Sequence, residues 1–236
     1  MDFKEFILSF KVHIAPISFI EKVRNGLIGG VAILFLGLAL KYLPQFDYPL
    51  VMLGSIAASA VLLFAAPHSP MAQPWPLLGG HVISALAGWA CSYLVGTPVL
   101  AAGCAVGLAI FLMHYLNCLH PPGAATALSL VLYSAQFHPM GWSWVMCIVL
   151  ANVLISLALA LLINNFIPGR HYPMRHTPTA VPKAEVQPRY IQLEIVDIEQ
   201  ALTQMDGVID VSEEDLLDIY ERAIEHARNR GGKVST

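Results

Sequence analysis

From Tyr48 to Gly169 the chain contains no Asp, Glu, Lys or Arg, yet five histidines fall in that stretch: His68, His81, His114, His120 and His138. A run of that length without charge cannot cover a water-soluble domain. At about 20 residues per helical span it has to cross a bilayer several times. With 56% hydrophobic and 12% charged residues and a mean hydropathy of +0.63, the whole chain lies outside the range of soluble domains. The expected fold is all-α, a polytopic transmembrane helical bundle with a small cytoplasmic helical tail.

Four regions follow from the patterning. Residues 1–25 space Phe3, Phe6, Ile7, Phe10 and Ile14 at near-helical intervals among charges, with an interruption at Pro16. They read as an amphipathic segment at the lipid interface or a packed collar, and as no cleavable signal peptide. Residues 26–168 form the bundle, with long apolar segments at about 27–43, 49–66, 77–95, 99–116 and 142–166 and a shorter one at 122–134. Residues 169–190 are a proline-rich linker, and 191–236 an acidic tail. From Glu185 onward there are twelve acidic and five basic residues, which argues against a nucleic-acid partner and for a helical hairpin that docks a cytoplasmic protein or mediates oligomerisation.

Basic residues set the orientation. Lys11, Lys22 and Arg24 precede the first span and Arg170, Arg175, Lys183 and Arg189 follow the last, which puts both termini in the cytoplasm, against Lys41 alone. A bacterial inner membrane is the expected setting. Ends on one side require an even number of crossings, so the short segment after Pro122 must cross too. About six membrane segments are expected, one of them short and broken. Small residues at packing intervals, Gly26/Gly30, Gly54/Ala58, Gly80/Ser84/Gly88 and Gly103/Gly107, permit close helix approach within a protomer or in a homo-oligomer.

The break at Asn117–Leu128 is the expected centre of function. His120, Pro121 and Pro122 end one helix, and Gly123, Ala124, Ala125 and Thr126 begin another, leaving a positive helix end and unpaired amides at membrane depth. A second break runs through Pro67, His68, Ser69 and Pro70 to Gly79, Gly80 and His81. Paired Pro/Gly interruptions point to a substrate site built from helix ends. The missing carboxylates argue against a metal-cation or sodium path and against an acidic proton relay. Helix N-termini, neutral histidines, Asn117 and Thr126 suit a small monovalent anion, with no Lys or Arg to hold it too tightly. His114 and His138 read as hydrogen-bonded locks between helices. The substrate-binding set is Asn117, His120, Pro121, Pro122, Gly123, Ala124, Ala125, Thr126, His68, Ser69, Gly79, Gly80 and His81.

No Ser/His/Asp set, HExxH or phosphate loop occurs in the bundle, so no enzyme, cofactor or metal site is expected. Cys91, Cys104, Cys118 and Cys147 form no CxxC pair and read as small buried hydrophobes.

The stretch from His120 to Leu128 resembles the signature of the HPP family of integral membrane proteins. Gly54-Ser55 and Ala58–Pro67, followed by Ser69-Pro70, Ala72–Pro74 and Gly79–His81, resemble that family's other characteristic block, and Asn165, Pro168–Arg170 and Tyr172-Pro173 resemble its membrane exit. The likeness covers roughly residues 15 to 175. It implies a role in transport, since the family is linked to nitrite passage across chloroplast and cyanobacterial membranes. Longer members carry CBS domains, and residues 190–228 resemble the helical connector before them, so a short member without CBS domains is expected. The combined expectation is a transporter or channel for a small anion, nitrite first. The alternative is a membrane sensor or scaffold whose tail is the output.

Overall fold

The structure, a computed structural model, describes residues 18–43, 48–174 and Tyr220. Of the interfacial segment expected over residues 1–25 only 18–25 are described, and from Phe19 onward they belong to the first helix and not to a separate segment; the expected tail, except Tyr220, lies outside the described residues. Phe19–His176 forms one compact unit. Every regular element among the described residues is helical, and four runs are long and apolar enough to cross a membrane.

The long helices are α1 (Phe19–Tyr42), α3 (Pro74–Leu94), α4 (Pro98–Tyr115) and α7 (Gly141–Phe166). The short turns Ser134–Phe137 (α6) and His138–Met140 extend α7 at its N-terminal end into a 33-residue run. Two shorter apolar helices complete the set, α2 (Ser55–Ala65) and α5 (Pro121–Leu132). The expected 49–66 segment is thus corrected: only 55–65 is helical, and residues 49–54 approach it without helix, so two membrane segments are short rather than one. The first helix also starts eight residues earlier than the apolar run suggested, because Glu21, Lys22 and Arg24 are tolerated at its polar end. Helices α3, α4 and α5 each open with proline in the first turn, where the missing N–H has no helical acceptor to lose.

Helix α3 packs against α4, α5 and α7 and is the centre of the bundle. One core joins α1, α2 and α7 to α3 through Leu36, Ile56, Leu63, Leu77 and Val149, while a second joins α3, α4 and α5 through Ala87, Ala105, Met113 and Ala127. The outward residues are large and apolar, with Leu94 82% and Val99 87% exposed, as a lipid-facing surface requires. Cys104 and Cys147 lie on that surface, which corrects the expectation that all four cysteines are buried. In lipid an outward thiol costs little, so burial is not enforced.

At about 1.5 Å per residue, α2 and α5 are only about 16–18 Å long, well short of a ~30 Å hydrocarbon core. Their flanking backbone must therefore be satisfied by protein. Asn152 of α7 does this at the start of α2: its Oδ1 accepts from Leu53 N–H (3.1 Å), and its Nδ2 donates to Val51 C=O (2.8 Å). At the other end Asn164 Nδ2 donates to Leu63 C=O (3.0 Å) and Arg170 Nη1 to Phe64 C=O (3.0 Å). Both asparagines have zero exposure. Because the higher-numbered clamp meets the higher-numbered end, α2 and α7 run parallel. Arg170 also bonds Asn25 and lies 3.5 Å from Glu21, tying α1 to the same end.

The 66–73 link is fixed to the chain's exit from the bundle. Gln73 Nε2 donates to Pro67 and Ser69 C=O, its Oε1 accepts from Met174 N–H (2.8 Å), and Tyr172 Oη donates to Ala72 C=O (2.8 Å). Replacing Asn152 with Leu leaves the Leu53 amide and Val51 carbonyl without their partner. The expected loss is about 1–3 kcal/mol, read as a lower thermal midpoint in detergent, whereas Cys147→Ala on the exposed face of the same helix leaves the midpoint unchanged.

Candidate functional site

Two short helices and the middle of α3 bring five polar side chains together inside the bundle. Ser55 and Ser59 lie one turn apart on α2, His81 comes from α3, His120 is the N-cap of α5, and Thr126 sits two turns into it; none exceeds 3% exposure. Ser59 Oγ stands between the two imidazoles, 2.9 Å from His81 Nε2 and 2.9 Å from His120 Nε2. His81 Nδ1 meets Thr126 Oγ1 at 2.7 Å, and Thr126 Oγ1 donates to Ser55 Oγ at 2.8 Å. His120 Nδ1 points at Met71 C=O, 2.8 Å away. The ring centroids are 5.0 Å apart and tilted by 57°.

A carbonyl only accepts, so His120 Nδ1 carries a hydrogen and, in the neutral ring, Nε2 is an acceptor. If Thr126 donates to Ser55, it must accept from His81 Nδ1–H, and neutral His81 then also turns an acceptor toward Ser59. The serine has one hydrogen for these two ring acceptors, and the Ser55 C=O at 3.3 Å is a longer third acceptor for it. The chain is one hydrogen short in this arrangement. Reversing the Ser55–Thr126 pair corrects the count for a neutral network, and adding one proton to either imidazole corrects it without reversal.

The close approach that assembles the network comes from glycine. A Cβ on Gly80 would stand 2.5 Å from His120 Cβ, one on Gly123 2.7 Å from Gly80 O, and one on Gly88 would strike the Ala127 carbonyl. A Cβ on Gly79 would lie 2.9 Å from Cys118 Cβ. Of the expected packing sets, Gly80/Ser84/Gly88 thus works between α3 and α5. Gly26, Gly30, Gly54, Gly103 and Gly107 have open space where a Cβ would be.

The expectation of free amides after Pro122 needs correction at Gly123. Pro121 and Pro122 have no N–H to offer, and Gly123 N–H donates to His120 C=O at 2.8 Å. The Gly123 amide is therefore not free at this helix end. Asn117 stands apart, exposed and with φ 52°. Its N–H donates to His114 C=O (3.2 Å) and Cys118 N–H to Met113 C=O (2.8 Å), a Schellman closure in which Asn takes the left-handed position usual for glycine. Ser69 caps the turn at 70–72 through Met71 N–H (3.3 Å), and His68 is half-buried in the same link, away from the imidazole pair. Pro121 is exposed and Pro122 buried, while Ala124 and Ala125 are half-buried.

Of the remaining histidines, His138 is the expected lock: Nε2 lies 2.8 Å from Ser92 Oγ and the ring stacks on Tyr93 at 3.9 Å. His114 is exposed at the end of α4 and locks nothing within the bundle. Ser55, Ser59 and the Met71 carbonyl were not singled out as site groups from sequence. The i, i+4 pairing of Ser55 with Ser59 in an otherwise apolar helix was the available signal. Among the described residues no three His, Cys, Asp or Glu side chains come together as a metal would require.

The family described as HPP, transmembrane region, matches residues 14–173. A transmembrane protein of Dictyostelium discoideum is 38% identical over 178 residues, 73% of this chain and 62% of its own length. A second transmembrane protein of that organism is 44% identical over 127 residues, 52% of this chain and 40% of its own. The chain therefore spans less than two thirds of either relative. No solved structure matches.

Substituting Ala at Gly80 or Gly88 forces α3 away from α5 and is expected to destabilise by about 1–3 kcal/mol or more. Gly107→Ala, on an open helix face, is neutral or stabilising by up to about 1 kcal/mol. Thermal unfolding of the three variants in one detergent separates these outcomes.

Proposed function

We propose that this chain, which belongs to the HPP family of integral membrane proteins, is a transporter or channel for a small monovalent anion, with nitrite the first candidate. The observation that carries the reading is a wholly buried, uncharged network of His81, His120, Ser55, Ser59 and Thr126 at the meeting of two short helices. Hydroxyl and imidazole groups can turn donors toward an anion and replace part of its water shell, which a purely apolar core cannot do. The positive end of the α5 dipole adds a partial charge near His120, reduced by the two prolines and the bonded Gly123 amide. The lack of any Asp, Glu, Lys or Arg from Tyr48 to Gly169 removes both the repulsion and the tight binding that would stop an anion from passing.

In this reading the substrate meets His120, Thr126, Ser59 and His81 first. Gly79, Gly80 and Gly123 act by letting the backbones approach, and Pro121 and Pro122 by starting the helix. His68, Ser69 and Asn117 belong to the links leading to the site. Both termini are assigned to the cytoplasmic face of a bacterial inner membrane, supported by Lys22, Arg24 and Arg170 at the span ends and by the parallel run of α2 and α7. The acidic tail is assigned to docking a protein partner. Nitrite is preferred on the family's link to nitrite passage, and other small anions share the same chemistry.

Purified protein in proteoliposomes should take up nitrite saturably above protein-free vesicles. His120→Ala and Thr126→Val are each expected to lower uptake about tenfold or more, the equivalent of one lost hydrogen bond to a charged ligand. Wild-type vesicles no faster than empty ones for any small anion would sink the transport reading. Silent changes at His120 combined with loss of function on deleting residues 185–236 would instead favour a sensor whose tail is the output.

A further inference from the structure

We infer that the His81–Ser59–His120 chain takes up one proton with each anion, making the protein a proton-coupled anion carrier; this rests on the anion-transport reading above. The geometry around His120 leads there. Its Nδ1–H is committed to Met71 C=O, so the neutral ring presents only a lone pair at Nε2. That lone pair faces the one position, now filled by Ser59 Oγ, where an arriving oxygen could also meet His81 Nε2. A neutral His120 repels an anion at that position. A protonated one donates to it.

The hydrogen count allows it. With Thr126 donating to Ser55, the side-chain network holds one hydrogen too few until one imidazole is charged, and two charged arrangements then satisfy the side-chain contacts, in each of which Ser59 gives up its longer approach to Ser55 C=O (3.3 Å). With the proton on His81, Nδ1–H goes to Thr126, Nε2–H to Ser59, and Ser59 donates to His120. With it on His120, Nε2–H goes to Ser59, which donates to His81. Ser59 passes the proton between the rings by accepting one hydrogen and giving up its own, and neither ring moves. The extra proton has two equivalent seats and a bridge between them.

Among the described residues the surroundings offer that proton no carboxylate partner. Around the pair, α2 supplies Ser55 and Ser59, α4 supplies the Met113 thioether beside Gly80, and the link before α5 sets the Cys118 thiol against Gly79 and its carbonyl against Gly80. His114 and Tyr115 at the end of α4 are exposed. No carboxylate, Lys or Arg lies on α2, α3, α4, α5 or α7, and Arg170, just past α7, is bound to Phe64 C=O at the far end of α2. A buried imidazolium with no carboxylate partner is unstable alone and is neutralised by a monovalent anion. Each cycle therefore binds one proton at an imidazole nitrogen and one anion beside it, releases both on the other side, and moves no net charge.

Proteoliposomes holding a pH-sensitive dye test this with nitrite as the probe, protein-free vesicles being subtracted to remove passive passage of the protonated acid. The expected result is lumen acidification by one proton per nitrite and uptake indifferent to a clamped membrane potential. An inward acid gradient of one pH unit should support about tenfold accumulation. Ser59→Ala, which keeps both imidazoles and removes the bridge, and His120→Gln, which keeps a polar group that cannot be protonated, should lower the proton-to-anion ratio of whatever uptake remains. Saturable nitrite uptake without acidification, following the membrane potential, overturns the coupling and leaves the transport reading standing. No saturable uptake overturns the transport reading itself. The wild-type ratio decides the matter even if a variant does not fold.

Discussion

Backbone hydrogen bonds that the helix cannot make for itself are the constraint on which this structure depends. In a bilayer each unpaired N–H or C=O costs several kcal/mol, so a chain that interrupts its helices has to bring partners to the interruption. Here the partners are few. Asn152 meets the backbone before α2, Asn164 and Arg170 take the carbonyls at its end, Gln73 gathers the 66–73 link, and the Schellman closure at Asn117 finishes α4. With those contacts made, two helices too short to span the membrane can meet inside it.

Their meeting distance is set by what is missing. Gly80 and Gly123 face one another, and neither position has space for a methyl group. Backbone-to-backbone contact brings the α5 N-cap residue over the middle of α3, so that His120 and His81 share one serine. The packing of α3 on α5 and the polar network are thus two aspects of one crossing. The opposite wall of the network belongs to α2, which α7 holds in place from the other core.

Much of the fold was legible because it follows from composition. An uncharged stretch of this length must be membrane-embedded helix, and the His120-Pro121-Pro122-Gly123 break announces itself by chemistry that a span normally avoids. The second short helix was not legible. Residues 49–54 are as apolar as a helix would be, and only Asn152, some hundred residues later, shows that their backbone is satisfied from outside. The site was half legible. His81, His120 and Thr126 stand out as polar residues in apolar surroundings, but Ser55 and Ser59 are common in membrane helices, where a hydroxyl can bond its own backbone, and so give weak signal. Of the amides of Gly123–Ala125, the first is already bonded to His120 C=O, a turn-type contact that the residue pattern does not announce.

That proline pair has a consequence for the residue before it. The N-cap side chain of a helix is ordinarily conscripted to cover exposed donors in the first turn. Helix α5 starts with two positions that have none, its third is covered by a main-chain carbonyl, and the His120 side chain makes no capping bond. The imidazole is released from capping and reaches across the bundle instead, to Met71 C=O and Ser59 Oγ. His-Pro-Pro is in this sense a way of vacating a post: the prolines make the cap redundant, and the histidine's two nitrogens join partners from other parts of the bundle.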